Sequence, residues 1–325
     1  MKSEYPRIIC ILRILEKYTD IYHQLTTNEI LKLLESDYQI KAHRITLKSD
    51  MEELIKMGYD IVETRSSQNL YFLGSRTFEF PEVKLLIDAV ESSKFITPSK
   101  TTALVSKISL FVSKYQQDKI KRTNYVTNCT KQTNEQIYYI VDTINDAIDQ
   151  HKQISFQYYD YTKDKNQILK NDGEVYILSP YNLLWNGDNY YVIGYSEKHK
   201  GIISFRVDRI AFTPEILNID AIKKPLTFDL DYYKKNVFFM YKGKPQIVQL
   251  RCKDELMRTM IDRFGVNVVT KKYDDHSFLI TAEVEVSQTF YGWVFGFNGD
   301  VQIIAPSSVK KEYIEMIQKA YRKIR

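Results

Sequence analysis

Residues 179–210 read SPYNLLWNGDNYYVIGYSEKHKGIISFRVDRI, and this stretch decides the fold of the middle of the chain. Apolar and polar residues alternate along it, and two tight turns interrupt the alternation. This pattern predicts antiparallel strands of a small sheet. The strand at 203–207 would separate apolar from polar side chains on its two faces: Ile203, Phe205 and Val207 against Ser204, Arg206 and Asp208.

Arg206 is the first candidate for a functional residue. A guanidinium on the second face of a sheet, close to several tyrosines, suits an anionic or planar ligand because it offers a flat fork of donors. Alternatively, Arg206 pairs with a neighbouring carboxylate. The spacing of the residues favours neither reading over the other.

The bulk properties of the 325 residues indicate several domains in a reducing compartment. A chain of this length usually folds as two to four domains, and 44% hydrophobic residues can build their cores. Cys10, Cys129 and Cys252 are far apart, so we expect reduced thiols and a cytoplasmic location. No run of about 18 uncharged apolar residues occurs, so we expect no membrane-spanning helix.

The net charge of +5 is unevenly distributed. Residues 1–74 carry a net charge of −1, whereas residues 219–325 carry the whole surplus of +5. Nucleic-acid binding by the N-terminal region would therefore depend on a local basic patch.

The first 75 residues predict three helices and a hairpin. A helix over 6–19 is followed by a capping box, in which Thr26 precedes Glu29 by three residues and opens a second helix. A third helix runs over 43–57 and ends at Gly58. Two short strands at 59–63 and 70–73 flank a polar turn. Together, these elements predict a winged helix-turn-helix domain over 1–75.

The rest of the chain predicts three further regions. Residues 76–151 are helical, with a polar break at 123–133 and an apolar helix at 134–150 wide enough to suggest a partner helix, so we expect a linker and dimerisation region. Residues 152–220 alternate with period two, which predicts a small Sm- or SH3-like β-barrel. After a linker near 223–244, residues 245–325 read β-α-β-β-α-β, a ferredoxin-like order. The predicted fold class is therefore α+β, multidomain.

The third helix is the candidate DNA-binding element, because the second helix of a helix-turn-helix motif enters the major groove. With Leu47 buried, Arg44 and Lys48 lie one turn apart on a common face. Arg44 suits a guanine edge or a phosphate, and Lys48 suits phosphate oxygens. The predicted DNA-binding residues are His43, Arg44, Thr46, Lys48 and Ser49. The alternative is an ordinary solvated helix face.

The chemistry of an enzyme is missing from the sequence. The five histidines are scattered, and neither an HExxH motif nor a Cys/His metal spacing occurs. No glycine-rich phosphate loop or nucleophile-base pair is present. We therefore expect no catalytic residues, no bound metal and no cofactor.

The segments SPY, YYVIGY and FRVDRI resemble the WYL domain of bacterial regulators in order and spacing. The family triplet Trp-Tyr-Leu corresponds to Tyr190, Tyr191 and Val192, which keeps the side-chain sizes but loses the indole donor. Residues beyond 245, with VQLRC, DRFG and FYGWVFGFNGDVQIIAP, resemble the WCX extension. The N-terminal region is similar to DeoR-like domains, whose Arg-x-Thr-Ile/Leu-x-Arg-Asp run is RITLKSD here, with serine at the second arginine.

This resemblance implies a homodimeric transcriptional regulator that binds double-stranded promoter DNA and senses single-stranded nucleic acid or a nucleotide. The residues implied for effector contact are Tyr181, Tyr191, Arg206 and Arg209. Tyrosine rings can stack on bases, although each could instead pack in the barrel. The alternative function is an accessory nucleic-acid-binding protein that modulates a CRISPR or phage-defence effector.

Overall fold

The computed structural model describes residues 6–65, 68–123, 131, 134–186, 188–226, 228–230 and 243–324. The chain divides into two compact units, Met1–Glu135 (unit 1) and Gln136–Arg325 (unit 2). Both units contain helices and small sheets, so the chain is a mixed α+β protein. Among the described helices, none combines the length and the apolar character needed to cross a bilayer.

The first part of unit 1 contains the predicted helices and hairpin. Its elements are α1 (Arg7–Tyr18), β1 (Leu25–Thr26), α2 (Thr27–Tyr38), α3 (Arg44–Lys56), β2 (Ile61–Arg65) and β3 (Asn69–Leu73). The hairpin gains a strand that the sequence did not predict, because β1 pairs with β3. Gly58 has a φ of 96° just beyond α3, as expected of a left-handed helix stop. Ser66 and Ser67 of the predicted turn lie outside the described residues.

The predicted capping box is confirmed at the start of α2. The Thr26 hydroxyl accepts a hydrogen bond from the backbone N–H of Glu29 at 3.2 Å, and the Glu29 carboxylate accepts one from the backbone N–H of Thr26 at 2.7 Å. Hydrogen bonds donated to the carboxylate by the Thr26 backbone N–H and the Thr26 hydroxyl lower the pKa of Glu29. The α2 N-terminus is therefore closed by its own side chains.

The remaining helices of unit 1 form a second small core. They are α4 (Phe80–Ser92), α5 (Pro98–Ile108) and α6 (Lys114–Thr123), with a 3-10 turn at Ser109–Phe111. Val83, Ile87, Val112 and Ile120 form the buried core between them. Pro98 occupies the first turn of α5, as predicted. Most of the polar break at 123–133 lies outside the described residues.

A buried carboxylate joins these two parts of unit 1. Asp20 is only 4% exposed, and its Oδ2 accepts a hydrogen bond from the Ser113 hydroxyl at 2.5 Å. Its Oδ1 accepts from the backbone N–H groups of Tyr22 and His23 and contacts His23 Nδ1 at 2.8 Å. The His23 ring stacks on Tyr115 of α6, with centroids 3.7 Å apart. This network ties α6 to the loop after α1.

Unit 2 begins with a helix packed on a sheet. Its first elements are α7 (Ile137–Asp149), β4 (Lys152–Phe156), β5 (Tyr159–Tyr161), β6 (Gln167–Leu169), β7 (Tyr176–Asn186), β8 (Asn189–Ser196), β9 (Gly201–Arg206) and β10 (Glu215–Asp220). Antiparallel pairing gives the strand order β10-β4-β7-β8-β9, and β5 pairs with β6. The segment after β9 contacts the segment after β4, where the N–H of Ala211 donates a hydrogen bond to the carbonyl of Gln157.

Two sequence expectations for this part are wrong. The apolar residues of α7, including Ile140 and Ile144, are fully buried in a helix that packs on β4, β7 and β10. The sheet of the same unit therefore covers the stripe that suggested a partner helix. The strand alternation ends at Arg206, because Val207–Arg209 form a 3-10 turn. Phe205 still packs on the aromatic rings of the sheet interior, while Arg206 projects from the other face.

The last part of unit 2 has the predicted order of elements. They are β11 (Lys244–Lys253), α8 (Met257–Phe264), β12 (Val269–Asp274), β13 (Ser277–Val286), α9 (Gln288–Phe295), β14 (Val301–Ala305) and α10 (Ser307–Ile324). The strands pair in the order β12-β13-β11-β14, all antiparallel. Cys10 and Cys252 are buried free thiols, whereas Cys129 and most of the predicted 223–244 linker lie outside the described residues.

Replacing Asp20 by alanine should loosen unit 1 alone. Asp20→Ala leaves the Tyr22 N–H and the Ser113 hydroxyl without their buried acceptor, so we expect unit 1 to lose about 3 kcal/mol of unfolding free energy. Native-state hydrogen exchange of α1 and α6 peptides measures this loss. Trp185 and Trp293, the two tryptophans of the chain, lie in unit 2, so their fluorescence serves as an internal reference.

The stabilisation should depend on pH in one direction. Burial would raise the pKa of Asp20, but hydrogen bonds from Ser113 and His23 outweigh it and lower the pKa. The stabilisation of unit 1 by ionised Asp20 is therefore complete above the pKa of Asp20 in the unfolded chain, about 3.9. It disappears as the pH falls through the lower pKa of Asp20 in the folded chain. The exposed Asp118→Ala variant should lose at most about 0.5 kcal/mol. Equal protection of α6 in both variants would contradict the role given to Asp20.

Candidate functional site

The start of α3 projects cationic and polar side chains from unit 1. Leu47, Met51 and Leu54 are the buried residues of this helix. His43 precedes the first turn, and its side chain makes no capping hydrogen bond. The first N–H groups of α3 therefore lack the side-chain acceptor that closes α2, and they leave a positive helix end at the surface.

An ion pair fixes the angle of α3 against α1. Arg7 donates to the Asp50 carboxylate through Nε at 2.5 Å and Nη2 at 3.1 Å. The hydrogen bond to Asp50 raises the pKa of Arg7. The acidic end of the RITLKSD run is therefore occupied within the protein and does not repel an external anion.

A groove of about 500 Å³ separates the starts of α2 and α3 from the hairpin. Within it, Arg44 Nη2 donates to Asn28 Oδ1 at 2.9 Å, which orients the guanidinium. The groove is lined by Thr27, Asn28, Arg44, Leu47, Lys48, Gln68, Asn69 and Tyr71. It therefore collects cations and hydrogen-bonding groups from three separate elements.

The structure distributes the five predicted DNA-binding residues over more than one side of α3. Arg44 and Lys48 both line the groove, as their spacing predicted. His43 and Ser49 are exposed and Thr46 is half-buried, but these three do not line it. The sequence reasoning missed Asn28, which lies in the first turn of α2 and contacts Arg44 at the start of α3.

In unit 2, Tyr191 and Arg206 face each other across the β8–β9 pair. The Arg206 guanidinium makes a bidentate ion pair with Asp208, through Nε at 3.0 Å and Nη2 at 2.7 Å. This hydrogen bonding raises the pKa of Arg206. The carboxylate reading of Arg206 is therefore correct, but Asp208 takes only two of the five guanidinium N–H groups.

Tyr158, which was not predicted, holds the backbone of Arg206 in place. We refer to Tyr191, Arg206 and Arg209 as the corner at the end of β9. Its hydroxyl oxygen accepts a hydrogen bond from the backbone N–H of Arg206 at 3.0 Å. Burial raises the pKa of Tyr158 to about 12, so the phenol stays neutral. The adjacent Arg209 is exposed at the end of the 3-10 turn. A fixed arginine and an exposed arginine thus lie within one turn of backbone.

The two predicted tyrosines occupy different environments. Tyr191 is 8% exposed and packs with Leu184 and Ile193. Tyr181 donates from its hydroxyl to the Lys223 carbonyl at 3.3 Å and packs against Phe228. Tyr181 lines a separate cavity of about 660 Å³, and neither predicted arginine is among the described residues around it. The structure thus brings together Tyr191, Arg206 and Arg209 but not Tyr181.

A metal centre is not found in the part of the chain that the structure describes. No group of three or more His, Cys, Asp or Glu side chains there is arranged to hold a metal ion.

Solved structures that are similar to this chain include the following two. One is proteasome accessory factor B/C (PafBC) of Arthrobacter aurescens, with 14% identity and a TM-score of 0.30 over 96% of this chain. The chain spans 46% of that protein's length. The other, described as a CRISPR Cas-related protein, has 12% identity and a TM-score of 0.38, over 98% of this chain and 84% of its own. None of the curated proteins matches the chain.

Two family models match unit 2. The WYL domain model matches residues 139–212, which run from α7 through the 3-10 turn that carries Arg209. The WCX domain model matches residues 244–321, from β11 into α10. The chain therefore carries a WYL domain followed by a WCX domain.

Proposed function

We propose that this chain is a non-enzymatic, ligand-responsive transcriptional regulator that acts as a cytoplasmic homodimer. In this proposal, residues 1–75 form a winged helix-turn-helix that binds promoter DNA, and 76–151 connect and dimerise. Residues 152–220 form a small β-barrel that senses a nucleic-acid fragment or nucleotide, and 245–325 form a ferredoxin-like domain beside it.

The groove at the start of α3 carries the DNA-binding part of the proposal. Arg44 and Lys48 lie one turn apart on its wall, and Asn28 orients the guanidinium. Guanidinium and ammonium groups neutralise phosphates, and an oriented guanidinium also matches the two acceptors of a guanine edge. Because residues 1–74 carry a net charge of −1, this local patch has to supply the attraction.

Arg44→Ala should weaken binding to the duplex upstream of the protein's own coding sequence by about 1–3 kcal/mol. The variant loses the guanidinium fork, and the loss is greater for the specific duplex than for a scrambled one. Fluorescence anisotropy at several salt concentrations measures both affinities. Arg122→Ala, an exposed arginine on α6, changes the net charge equally and should bind like the parent. Equal affinity of Arg44→Ala and the parent would refute the docking of α3.

The corner of Tyr191, Arg206 and Arg209 supports the sensor part of the proposal. Asp208 holds the Arg206 fork in a fixed direction, and Tyr158 holds the backbone that carries it. Arg209 is exposed and can reach an external phosphate. An arginine already oriented loses less freedom when it binds an anion than a mobile one does.

Arg209→Ala should lower the affinity for short single-stranded DNA or RNA about tenfold. This variant is preferred to Arg206→Ala, because removing Arg206 would leave the Asp208 side chain, 4% exposed, without its ion-pair partner. Anisotropy of labelled oligonucleotides measures binding, and the exposed Lys163→Ala variant controls for charge. Binding of no oligonucleotide or nucleotide by the parent would remove the sensor from the proposal.

Apolar side chains left at the surface of unit 1 support dimerisation through the helical region. Leu85 and Leu86 of α4 are 70% and 40% exposed, and Leu110 and Phe111 of the 3-10 turn packed on α4 are 73% and 43% exposed. Clustered apolar groups of this kind mark protein interfaces. With the α7 stripe covered, they are the best candidates within residues 76–151.

Leu110→Glu should shift the chain from dimer to monomer, because a carboxylate in an apolar interface is costly to desolvate. Light scattering at micromolar concentration measures the mass. Leu226→Glu, at a fully exposed leucine of unit 2, should remain dimeric. A monomeric parent protein would contradict dimerisation itself, whereas a dimeric Leu110→Glu variant would move the interface elsewhere.

A further inference from the structure

Ile45 is the unexplained residue of the candidate DNA-binding helix. Its side chain is 86% exposed, at the second position of α3. It contributes nothing to the core, and isoleucine is a poorer helix former than alanine. The fold of unit 1 therefore gives no reason for a bulky apolar group at this position.

The helical geometry places Ile45 at the outermost line of α3. Successive residues of a helix are rotated by about 100°, so Ile45 lies nearly opposite the buried line of Leu47, Met51 and Leu54. Ser49, one turn later, shares this outer line and is exposed as well. A helix that enters the major groove presents this line to the base edges.

The cations of α3 lie to one side of this outer line. Arg44 and Lys48 line the groove beside α2, where Asn28 holds Arg44 by a hydrogen bond. Long side chains on the flank of a docked helix can reach phosphates as well as base edges, whereas short ones on the outer line face the base edges directly. The outer line of the first two turns therefore carries an apolar group and a hydroxyl in place of a cation.

We infer that Ile45 is a specificity-determining residue that packs against the C5-methyl group of a thymine in the major groove. This inference rests on the proposed DNA binding and names the base that the site selects. Among the base edges of the major groove, only thymine offers a methyl group, so an apolar side chain distinguishes it from the other bases. The contact buries both methyl-bearing surfaces from water.

The test removes the methyl group from the DNA and the side chain from the protein. The full chain first selects a tight-binding duplex from a random-sequence pool. Each thymine of that duplex is then replaced singly by uracil, which pairs identically but lacks the methyl group. For the parent protein, one replacement in each half-site should weaken binding about fourfold, the effect of one buried methyl group.

The Ile45→Ala variant should bind the thymine duplex several-fold more weakly than the parent and should show no further loss on the uracil duplex. Ile55→Ala, a half-exposed isoleucine near the other end of the same helix, should behave like the parent on both duplexes. Equal sensitivity of Ile45→Ala and the parent to uracil, or insensitivity of both, would overturn the inference while DNA binding stands. Failure of the pool to yield any bound duplex would overturn both.

Discussion

The buried carboxylate of Asp20 is the interaction on which unit 1 depends. It accepts from the backbone after α1 on one side and from Ser113, just before α6, on the other. A buried charge is tolerated only when its acceptor sites are filled, so separating these parts would remove the Ser113 donor and leave Oδ2 of the carboxylate without its hydrogen bond. Arg76 adds a second link through the Thr19 carbonyl at 2.6 Å. The two parts of unit 1, α1 to β3 and α4 to α6, are therefore coupled. A displacement of one part has to move the other.

In unit 2, the carboxylate of Asp208 is also buried with its hydrogen-bond donors in place. Here it orients the Arg206 side chain instead of joining two parts of the unit. The Asp208 side chain is almost fully buried, and its ion pair fixes the Arg206 fork, while the neutral Tyr158 phenol holds the backbone at the end of β9. The Asp208 carboxylate thus positions one arginine, and the exposed Arg209 follows three residues later. Positioning and accessibility are divided between two residues. That division explains why substitution of Arg206 would test stability as much as binding.

Local sequence patterns predicted the helices and strands, whereas contacts between residues far apart in the sequence could not be predicted. The Thr26–Glu29 box, the buried line of Leu47, Met51 and Leu54, and the β-α-β-β-α-β order depend on residues a few positions apart, so periodicity and capping reveal them. Asp20 meets Ser113 across 93 positions and Arg7 meets Asp50 across 43. Nothing in the spacing selects these partners. The prediction of a partner helix for the apolar face of α7 failed for the same reason. Periodicity shows that a face is buried, but it does not show which element buries it.

The N-termini of α2 and α3, which both lie beside the groove, differ in how they are capped. At the start of α2, the Thr26 hydroxyl accepts from the N–H of Glu29 and the Glu29 carboxylate accepts from the N–H of Thr26, whereas α3 has no side-chain cap at His43. A missing cap costs a helix about 1 kcal/mol, so α3 gives up stability where α2 keeps it. A phosphate at the start of α3 would restore that loss, since it supplies both acceptors and negative charge to the positive helix end. The start of α2 is thus closed by its own side chains, whereas the start of α3, where Asp50 is paired with Arg7, has no side-chain cap.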